Sequence, residues 1–143
     1  MAPHAEEFRG RRVLRAHTYV VLDGAGSPVA QIGGDVYDRW TLWDPATGLV
    51  TTTYPGRAMG SAFVVDPARW GEGYGRAALL ALVRAPELAD VTQFVLGIEP
   101  DNTASLRVAA AAGYRPLTTE PDSEDVLYLR LGRSSVAGGT LPA

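Results

Sequence analysis

The chain has 143 residues, of which 46% are hydrophobic and 20% charged, a balance typical of one globular domain with a hydrophobic core. Its formal net charge is −3, from 13 basic and 16 acidic residues, and no basic stripe is present, so nucleic acid is not an expected partner. Cysteine and lysine are both absent, which excludes disulfides, thiolate catalysis, a Walker phosphate loop and Schiff-base chemistry.

The histidine content, the N-terminal residues and the apolar runs limit the possible classes of function and location further. His4 and His17 are too few for a histidine-rich metal site, so we expect no metal. The first residues are charged and lack the apolar region of a signal peptide. No apolar run has the length that a membrane span requires. We therefore expect a cytoplasmic protein without a membrane partner.

Strand and turn signals dominate the first half of the chain. Residues 5–15 fit a short helix or an irregular lead-in. Runs of β-branched and aromatic residues, separated by glycine and proline, predict four strands. These are residues 17–23, 29–37, 49–54 and 59–66. Residues 38–47 are predicted to form a loop that Trp40 and Trp43 anchor.

The second half alternates helices and strands. Leucine and valine spacing predicts a helix over residues 76–84, and a capping residue at 102–103 predicts another that ends before Gly113. Strands are expected at 91–98, 115–119 and 126–131. This order predicts an α/β (α+β) fold, a mixed and mostly antiparallel sheet in which a β-meander precedes helix, strand, helix and two strands. We assign it to one domain at residues 1–133, followed by a disordered tail at 134–143.

The segment W-G-E-G-Y-G-R at residues 70–76 follows a predicted strand and opens a predicted helix. Its alternating glycines allow successive backbone N–H groups to converge, and a helix start adds unpaired donors and partial positive charge. Such a turn suits a phosphate or pyrophosphate, and a tight turn without a ligand is the alternative. A dinucleotide fingerprint fits poorly, because Arg76 stands where that fingerprint requires glycine or alanine.

The segment I-E-P-D-N-T-A-S-L-R at residues 98–107 ends a predicted strand and begins a helix at the same edge of the sheet. Two strand-to-helix corners on one edge form a crevice that suits a ligand. In the alternative interpretation, Asn102 and Ser105 only cap the helix. Glu99 and Asp66 lie near this edge and are candidates for a general base.

Together these segments resemble the GCN5-related N-acetyltransferase (GNAT) family over about residues 17–131. The matching motifs are V-D-P at 65–67, W-G-E-G-Y-G at 70–75, N-T-A-S at 102–105 and A-G-Y at 112–114. Their order and spacing are those of the family. The W-G-x-G-Y and E-P-D-N-x-x-S forms are most similar to the RimJ/RimL-like branch, which acetylates protein α-amino groups and small amines.

The resemblance implies acetyl transfer from acetyl-CoA to a primary amine, either a small amine or a peptide N-terminus. It also implies that a set of residues contacts acetyl-CoA. Some of them pair with the pantetheine arm, some bind the pyrophosphate, and one lies beside the pantetheine. The set is Phe63, Val64, Val65, Gly71, Glu72, Gly73, Tyr74, Gly75, Arg76 and Asn102. Ser105 is implied as the group that hydrogen-bonds or protonates the leaving thiolate, and Glu99 is taken as the candidate base.

Two positions depart from the family pattern. Ala109 stands where a tyrosine general acid is common, and Gly97 stands where some members have a glutamate base. The alternative function is a domain that has lost the wall of its acceptor site and binds CoA or a partner protein without catalysis.

The N-terminal part is also shorter than in the family, whose first strand and two helices do not fit into residues 1–16. One face of the sheet would then lack cover, which is unfavourable for an apolar surface in water. We therefore predict that a second copy, or another protein segment, covers this face through Trp40 and Trp43, and a two-fold homodimer is the simplest case. The alternative is that residues 1–16 and 38–58 fold over and close the face.

Overall fold

The computed structural model of the protein describes residues 7–133. The predicted tail at 134–143 lies outside the described residues. The strands are β1 (Glu7–Phe8), β2 (Arg11–Leu22), β3 (Pro28–Asp44), β4 (Leu49–Val65), β5 (Gln93–Ile98), β6 (Arg115–Pro116) and β7 (Leu127–Gly132). The helices are α1 (Tyr74–Arg84) and α2 (Thr103–Ala111), with short 3₁₀ turns at Pro67–Arg69 and Pro86–Leu88.

The strands form one seven-stranded sheet in the order β1-β2-β3-β4-β5-β7-β6. The meander β2-β3-β4 is antiparallel, β4 and β5 are parallel with α1 in the crossover, and β7 is antiparallel to β5. The predicted fold class is thus confirmed, as is the order of meander, helix, strand, helix and two strands. The two separate strands predicted at 49–54 and 59–66 were wrong, because they form the single strand β4. Neither helix within residues 7–133 is long and apolar enough to cross a lipid bilayer.

The strands of the meander are longer than the sequence suggested. Residues 5–15 were expected to be helical or irregular, but β2 already begins at Arg11. The loop expected at 38–47 was also wrong, because β3 continues to Asp44. Both segments pair with a neighbouring strand, and this pairing stabilises the extended backbone where local signals are weak.

β4 runs through Pro55 and Gly56 because Gln93 supports the backbone there. Gln93 is fully buried, and its Nε2 donates to the carbonyl oxygens of Tyr54 at 2.9 Å and Gly56 at 2.8 Å. Its Oε1 accepts a hydrogen bond from Nε of Arg130 at 2.7 Å. Gly56 adopts a φ of 99°, which glycine tolerates, so the strand is kinked rather than ended at this point.

Both helices pack on one face of the sheet and form the main core there. Leu79 and Leu82 of α1 lie with Phe94 and Leu96 of β5 in one cluster in which all four side chains are fully buried. Side chains alternate along a strand, so Val95 of β5 points to the opposite face.

The opposite face is covered at one end by an aromatic cluster. Tyr37, Trp40, Ala58 and Val95 are buried there. The indole of Trp40 is only 5% exposed, and the guanidinium carbon of Arg11 lies 3.7 Å from its ring centroid. The prediction that Trp40 contacts a second copy was therefore wrong, because this side chain packs inside its own chain.

The other end of this face stays open. Val20 of β2 and Val64 of β4 both lie beside Gln31 of β3, and these two valines are 54% and 63% exposed. Residues 38–44 and 49–57 do not fold over them, since these residues continue β3 and β4. Two exposed valines thus flank the exposed Gln31 on this face of the sheet.

Candidate functional site

A groove of about 320 Å³ lies where the carboxyl end of β4 meets the first turns of α1 and α2. Its lining residues are Phe63, Val64, Val65, Arg69, Trp70, Gly71, Gly73, Tyr74, Gly75, Arg76, Asn102, Ala104, Ser105 and Val108. The two segments that the sequence placed at one sheet edge therefore line a single cavity. Most of the predicted site residues are among them.

The groove exists because β4 and β5 separate. Their last paired residues are Ser61 and Leu96, yet β4 continues to Val65 and β5 to Ile98. Beyond Ser61, the edge of β4 that faces β5 has no ladder partner on that strand. An open strand edge presents backbone N–H and C=O groups, to which an extended ligand can pair.

The turn into α1 requires glycine for its conformation. Gly71 and Gly73 have φ values of 82° and 88°, a region that residues with a side chain rarely adopt. Gly73 is the N-cap of α1 and offers no side-chain hydrogen bond to the first turn. The first backbone N–H groups of α1 and its partial positive charge therefore remain available to an anion.

Gly75 is needed for close packing instead. A Cβ atom at this position would lie 3.3 Å from Cε2 of Phe63 and 3.4 Å from Cγ1 of Val108. These distances are tighter than ordinary van der Waals contact, so glycine lets α1 approach both β4 and α2. The floor of the groove depends on this approach.

Arg69 organises the wall of the groove, and the sequence interpretation did not include it. Its Nη1 donates to Oδ2 of Asp23 at 2.9 Å, and its Nη2 donates to the hydroxyl of Tyr74 at 3.0 Å. The Arg69 guanidinium, with help from backbone N–H groups, lowers the pKa of Asp23 to about 2. The only signal available in the sequence was a basic residue just before the glycine run.

Three predicted carboxylates lie outside the groove lining. Glu72 accepts hydrogen bonds from Nε of Arg69 at 3.2 Å, so its side chain turns towards that arginine. Glu99 is exposed and does not line the groove. Asp66 accepts from the backbone N–H of Ala68 at 3.0 Å and caps the 3₁₀ turn that follows β4.

Asn102 and Ser105 line the groove from the start of α2. Oδ1 of Asn102 accepts from the backbone N–H of Ser105 at 3.1 Å, so Asn102 is the N-cap of this helix. Asn102 thus caps the helix, and it also lines the groove. Ser105 is half-buried and is one of the lining residues.

Trp70 forms an aromatic rim. Its side chain is 66% exposed, and its Nε1 donates to the carbonyl oxygen of Val65 at 3.0 Å. The hydrogen bond holds a large apolar surface in one orientation at the mouth of the groove. Exposed aromatic surface of this kind is typical of ligand sites.

Metal ligands are missing from the described part of the chain. Residues 7–133 contain no group of three or more histidine, aspartate or glutamate side chains that could hold a metal ion.

Comparison with known proteins identifies the family. The protein-family model described as "Acetyltransferase (GNAT) domain" matches residues 6–115 of this chain. The chain therefore belongs to the GNAT family, as the motifs in the sequence indicated.

One curated relative matches part of this chain. The uncharacterized N-acetyltransferase YfmK of Bacillus subtilis (strain 168) is 38% identical over 68 residues, which cover 48% of this chain and 46% of YfmK. The match thus spans less than half of that relative.

Solved structures share the fold. The structure of yncA from Salmonella typhimurium with acetyl-CoA has a TM-score of 0.60 at 20% identity, over 94% of this chain and 70% of yncA. RimL, the ribosomal L7/L12 α-N-protein acetyltransferase in complex with CoA, also has a TM-score of 0.60. It is 18% identical, over 84% of this chain and 63% of RimL.

Proposed function

We propose that this chain is an acetyl-CoA-dependent N-acetyltransferase that transfers an acetyl group to a primary amine. The observation that carries the proposal is the groove itself. It joins an open edge of β4 to the free N-terminus of α1 behind Gly71 and Gly73. Family membership supports the same activity, and acetyl-CoA or CoA is bound in the structures of yncA and RimL.

In this proposal each part of the groove holds one part of the cofactor. The pyrophosphate binds the N–H groups between residues 71 and 76, where the helix start favours negative charge. Pantetheine extends along residues 63–65 and pairs with their backbone. Asn102 and Ser105 approach the thioester end from α2, and Trp70 covers the mouth.

The reaction forms a bond between the amine nitrogen and the carbonyl carbon and breaks the bond from that carbon to sulfur. The amine must lose a proton before it attacks. A backbone N–H of residues 63–65 stabilises the developing oxyanion, and Ser105 hydrogen-bonds or protonates the leaving thiolate. Glu99 remains our candidate base and acts through water, because its carboxylate lies outside the groove lining.

Two experiments test the proposal in sequence. Acetyl-CoA or CoA should raise the melting temperature, whereas NAD should not; at a hundredfold excess over Kd, binding to the folded state adds about 2.7 kcal/mol. Thiol release from acetyl-CoA is then measured against a panel of amines and peptides. CoA binding without turnover of any amine would support the alternative, a domain that binds CoA without catalysis. A shift with NAD alone would contradict both.

The acceptor and the assembly state belong to the same proposal. The sequence motifs favour the RimJ/RimL-like branch, whose acceptors are small amines and protein α-amino groups, and a cytoplasmic location remains a prediction. The homodimer also remains a prediction, and the open end of the sheet face with Val20 and Val64 is the surface that it would bury. Light scattering of the protein and of a Val20→Glu variant checks this, since a monomer in both samples would contradict the dimer.

A further inference from the structure

Asp35 of β3 lies on the sheet face opposite the helices, next to the point where β4 and β5 separate. Side chains alternate along a strand, and Tyr37, two residues further on, belongs to the buried cluster of this face. Asp35 pairs with Gly60 of β4, and Gly60 precedes Ser61, the last residue of β4 that pairs with β5. The carboxylate of Asp35 is therefore on the side of the sheet away from both helices and near the gap that forms the groove.

The negative charge of Asp35 is not balanced by an ion pair within residues 7–133. Three other half-buried aspartates each pair with an arginine: Asp23 at 2.9 Å, Asp38 at 2.7 Å and Asp122 at 3.7 Å. Asp35 is also half-buried. Because a carboxylate that has lost part of its hydration is stabilised by an opposite charge, this position favours a cationic ligand.

The phenol of Tyr37 is the neighbour on which Asp35 acts. Burial raises the pKa of Tyr37, and the negative charge of Asp35 raises it further. A neutral phenol donates one hydrogen bond, whereas an ionised carboxylate has about four acceptor sites. Tyr37 therefore leaves most of the carboxylate available and does not compensate its charge.

Small residues surround Asp35 on this face and leave it accessible. Its partner on β4 is Gly60 and its partner on β2 is Ala16. Two positions away along β3 lies Gly33, which pairs with Ala62 of β4. Ala16 and Ala62 are both exposed. The carboxylate thus stands on a shallow floor of glycine and alanine, which a ligand can approach closely.

Aromatic rings bound this floor on one side. A Cβ atom at Gly60 would lie 2.9 Å from Cζ3 of Trp40 and 3.1 Å from Cε2 of Tyr37, so both rings stand over the glycine that pairs with Asp35. A cation that meets the carboxylate beside these rings loses part of its water shell. The effective dielectric constant is lower there than in water, and the ion pair is correspondingly stronger.

The floor continues into the groove through Val64. By strand alternation Val64 and Ala62 point to the same face as Asp35, and Val64 also lines the groove. In the proposed function the thioester end of the cofactor lies against the backbone of residues 63–65. An acceptor on this face of the sheet therefore has a path to the thioester.

The spacing along β4 determines which nitrogen of an acceptor Asp35 can bind. Asp35 is level with Gly60, three positions before residue 63. At roughly 3.3 Å per residue, these two levels are roughly 10 Å apart. An attacking nitrogen stands about 3–3.5 Å from the carbon that it attacks, and a hydrogen bond spans about 3 Å. One nitrogen therefore does not reach both groups, whereas two nitrogens that are at least roughly 4 Å apart do.

We propose that Asp35 binds a second cationic nitrogen of the acceptor, and that the acceptor is a short diamine. This inference rests on the proposed N-acetyltransferase function and names its acceptor. One ammonium group pairs with Asp35, while the other loses a proton to water and attacks the thioester carbon. The C–N bond forms, the C–S bond breaks, and the second proton of the attacking nitrogen passes to the leaving thiolate. A monoamine has no group for Asp35 to bind.

The first test compares two acceptors of equal length that differ only in the second nitrogen. Thiol release from acetyl-CoA is measured with 1,4-diaminobutane and with pentylamine, in which a methyl group replaces one ammonium. We expect kcat/KM to be about tenfold higher for the diamine, mainly through KM, as for one hydrogen bond between charged groups. Equal values for the two amines, or a higher value for pentylamine, would overturn the inference.

The second test removes the charge of Asp35 and keeps its shape. In Asp35→Asn the ratio of kcat/KM for the diamine to that for pentylamine should fall about tenfold. Asp125→Asn is the matched control, because Asp125 is exposed, lies outside the groove lining and carries the same charge. Asparagine also tolerates the φ of 62° at this position. An unchanged ratio in Asp35→Asn, or an equal fall in Asp125→Asn, would contradict the assignment.

Calorimetry with CoA-saturated protein adds a measurement that does not depend on turnover. We expect 1,4-diaminobutane to bind the wild type about tenfold more tightly than it binds Asp35→Asn. CoA should bind both proteins equally, which shows that the variant keeps the groove. Equal diamine affinities in two proteins that bind CoA would overturn the role of Asp35.

These measurements also separate the inference from the proposed function. Failure to bind CoA, or CoA binding without turnover of either amine, would overturn the proposed function and, with it, the acceptor role of Asp35. CoA binding with equal turnover of the diamine and of pentylamine would overturn only the diamine acceptor.

Discussion

Arg69 and Asp23 are 46 residues apart in sequence and form an ion pair in which Nη1 lies 2.9 Å from Oδ2. The pair joins the turn between β2 and β3 to the segment that leads into α1. Because Arg69 also donates to the hydroxyl of Tyr74, the turn helps to hold one wall of the groove. The position of the groove thus depends on a contact between distant parts of the meander and the glycine turn.

This ion pair predicts a pH dependence in the acidic range. The pKa of Asp23 is about 2 in the folded protein, below the value of about 3.9 for an unperturbed aspartate. The stabilisation that the pair provides is therefore present above about pH 4 and is lost as the pH falls through 2. A carboxyl NMR titration should give a midpoint near 2 for Asp23. In Arg69→Gln the midpoint should rise towards 3.9, and a wild-type midpoint near 4 would contradict the assignment.

Gly73→Val should weaken CoA binding more than it weakens the fold. A β-branched residue at a φ of 88° is strained, and its side chain would stand beside the N–H groups proposed to hold the pyrophosphate. Gly48→Val is the matched control, because Gly48 has a φ of 71° and, like Gly73, no atom within 4 Å of an added Cβ.

Titration calorimetry with CoA and urea unfolding separate the two effects. We expect both variants to lose comparable stability and only Gly73→Val to lose CoA affinity, by about tenfold or more. Normal CoA affinity in a folded Gly73→Val protein would show that this turn is not the phosphate site.

Ser105→Ala should lower kcat with little change in the affinity for acetyl-CoA. A group that assists only the leaving thiolate contributes in the transition state and not in the ground state. Alanine is a good helix former, and the N-cap contact from Asn102 uses the backbone of residue 105, so α2 should persist. Thr103→Ala, at an exposed position of the same helix outside the groove lining, should leave kcat unchanged. An unaltered kcat in Ser105→Ala would reduce Ser105 to a helix residue.

Gln93→Leu should destabilise the fold by about 3 kcal/mol or more. The substitution leaves the carbonyl groups of Tyr54 and Gly56, and Nε of Arg130, without the partner that Gln93 supplies in the buried sheet. Gln31→Leu is the control, since this glutamine is exposed on β3 and should change stability by less than about 0.5 kcal/mol. Urea unfolding measures both, and similar stabilities of the two variants would contradict the role of Gln93.

The sequence by itself determined the order of the elements and most of the groove. Conformation at Gly71 and Gly73 and capping at Asn102 are decided by neighbours a few residues away, so the motifs that contain them could be recognised without a structure. The same motifs indicated the family, which the match over residues 6–115 confirmed.

Tertiary structure alone decided the length of the strands, the position of Trp40 and the direction of the carboxylates. β3 extends through the expected loop because its residues pair with β4, and Trp40 is buried because Gly60 leaves room for its ring. Glu72 turns to Arg69, which is itself paired with the distant Asp23, while Glu99 stays outside the groove. Strand pairing, packing against a glycine and ion pairing are contacts that depend on the three-dimensional course of the chain. Several of them join residues that are distant in sequence. Local sequence propensity does not determine such contacts. Burial and charge pairing instead select among the backbone conformations that local propensity permits.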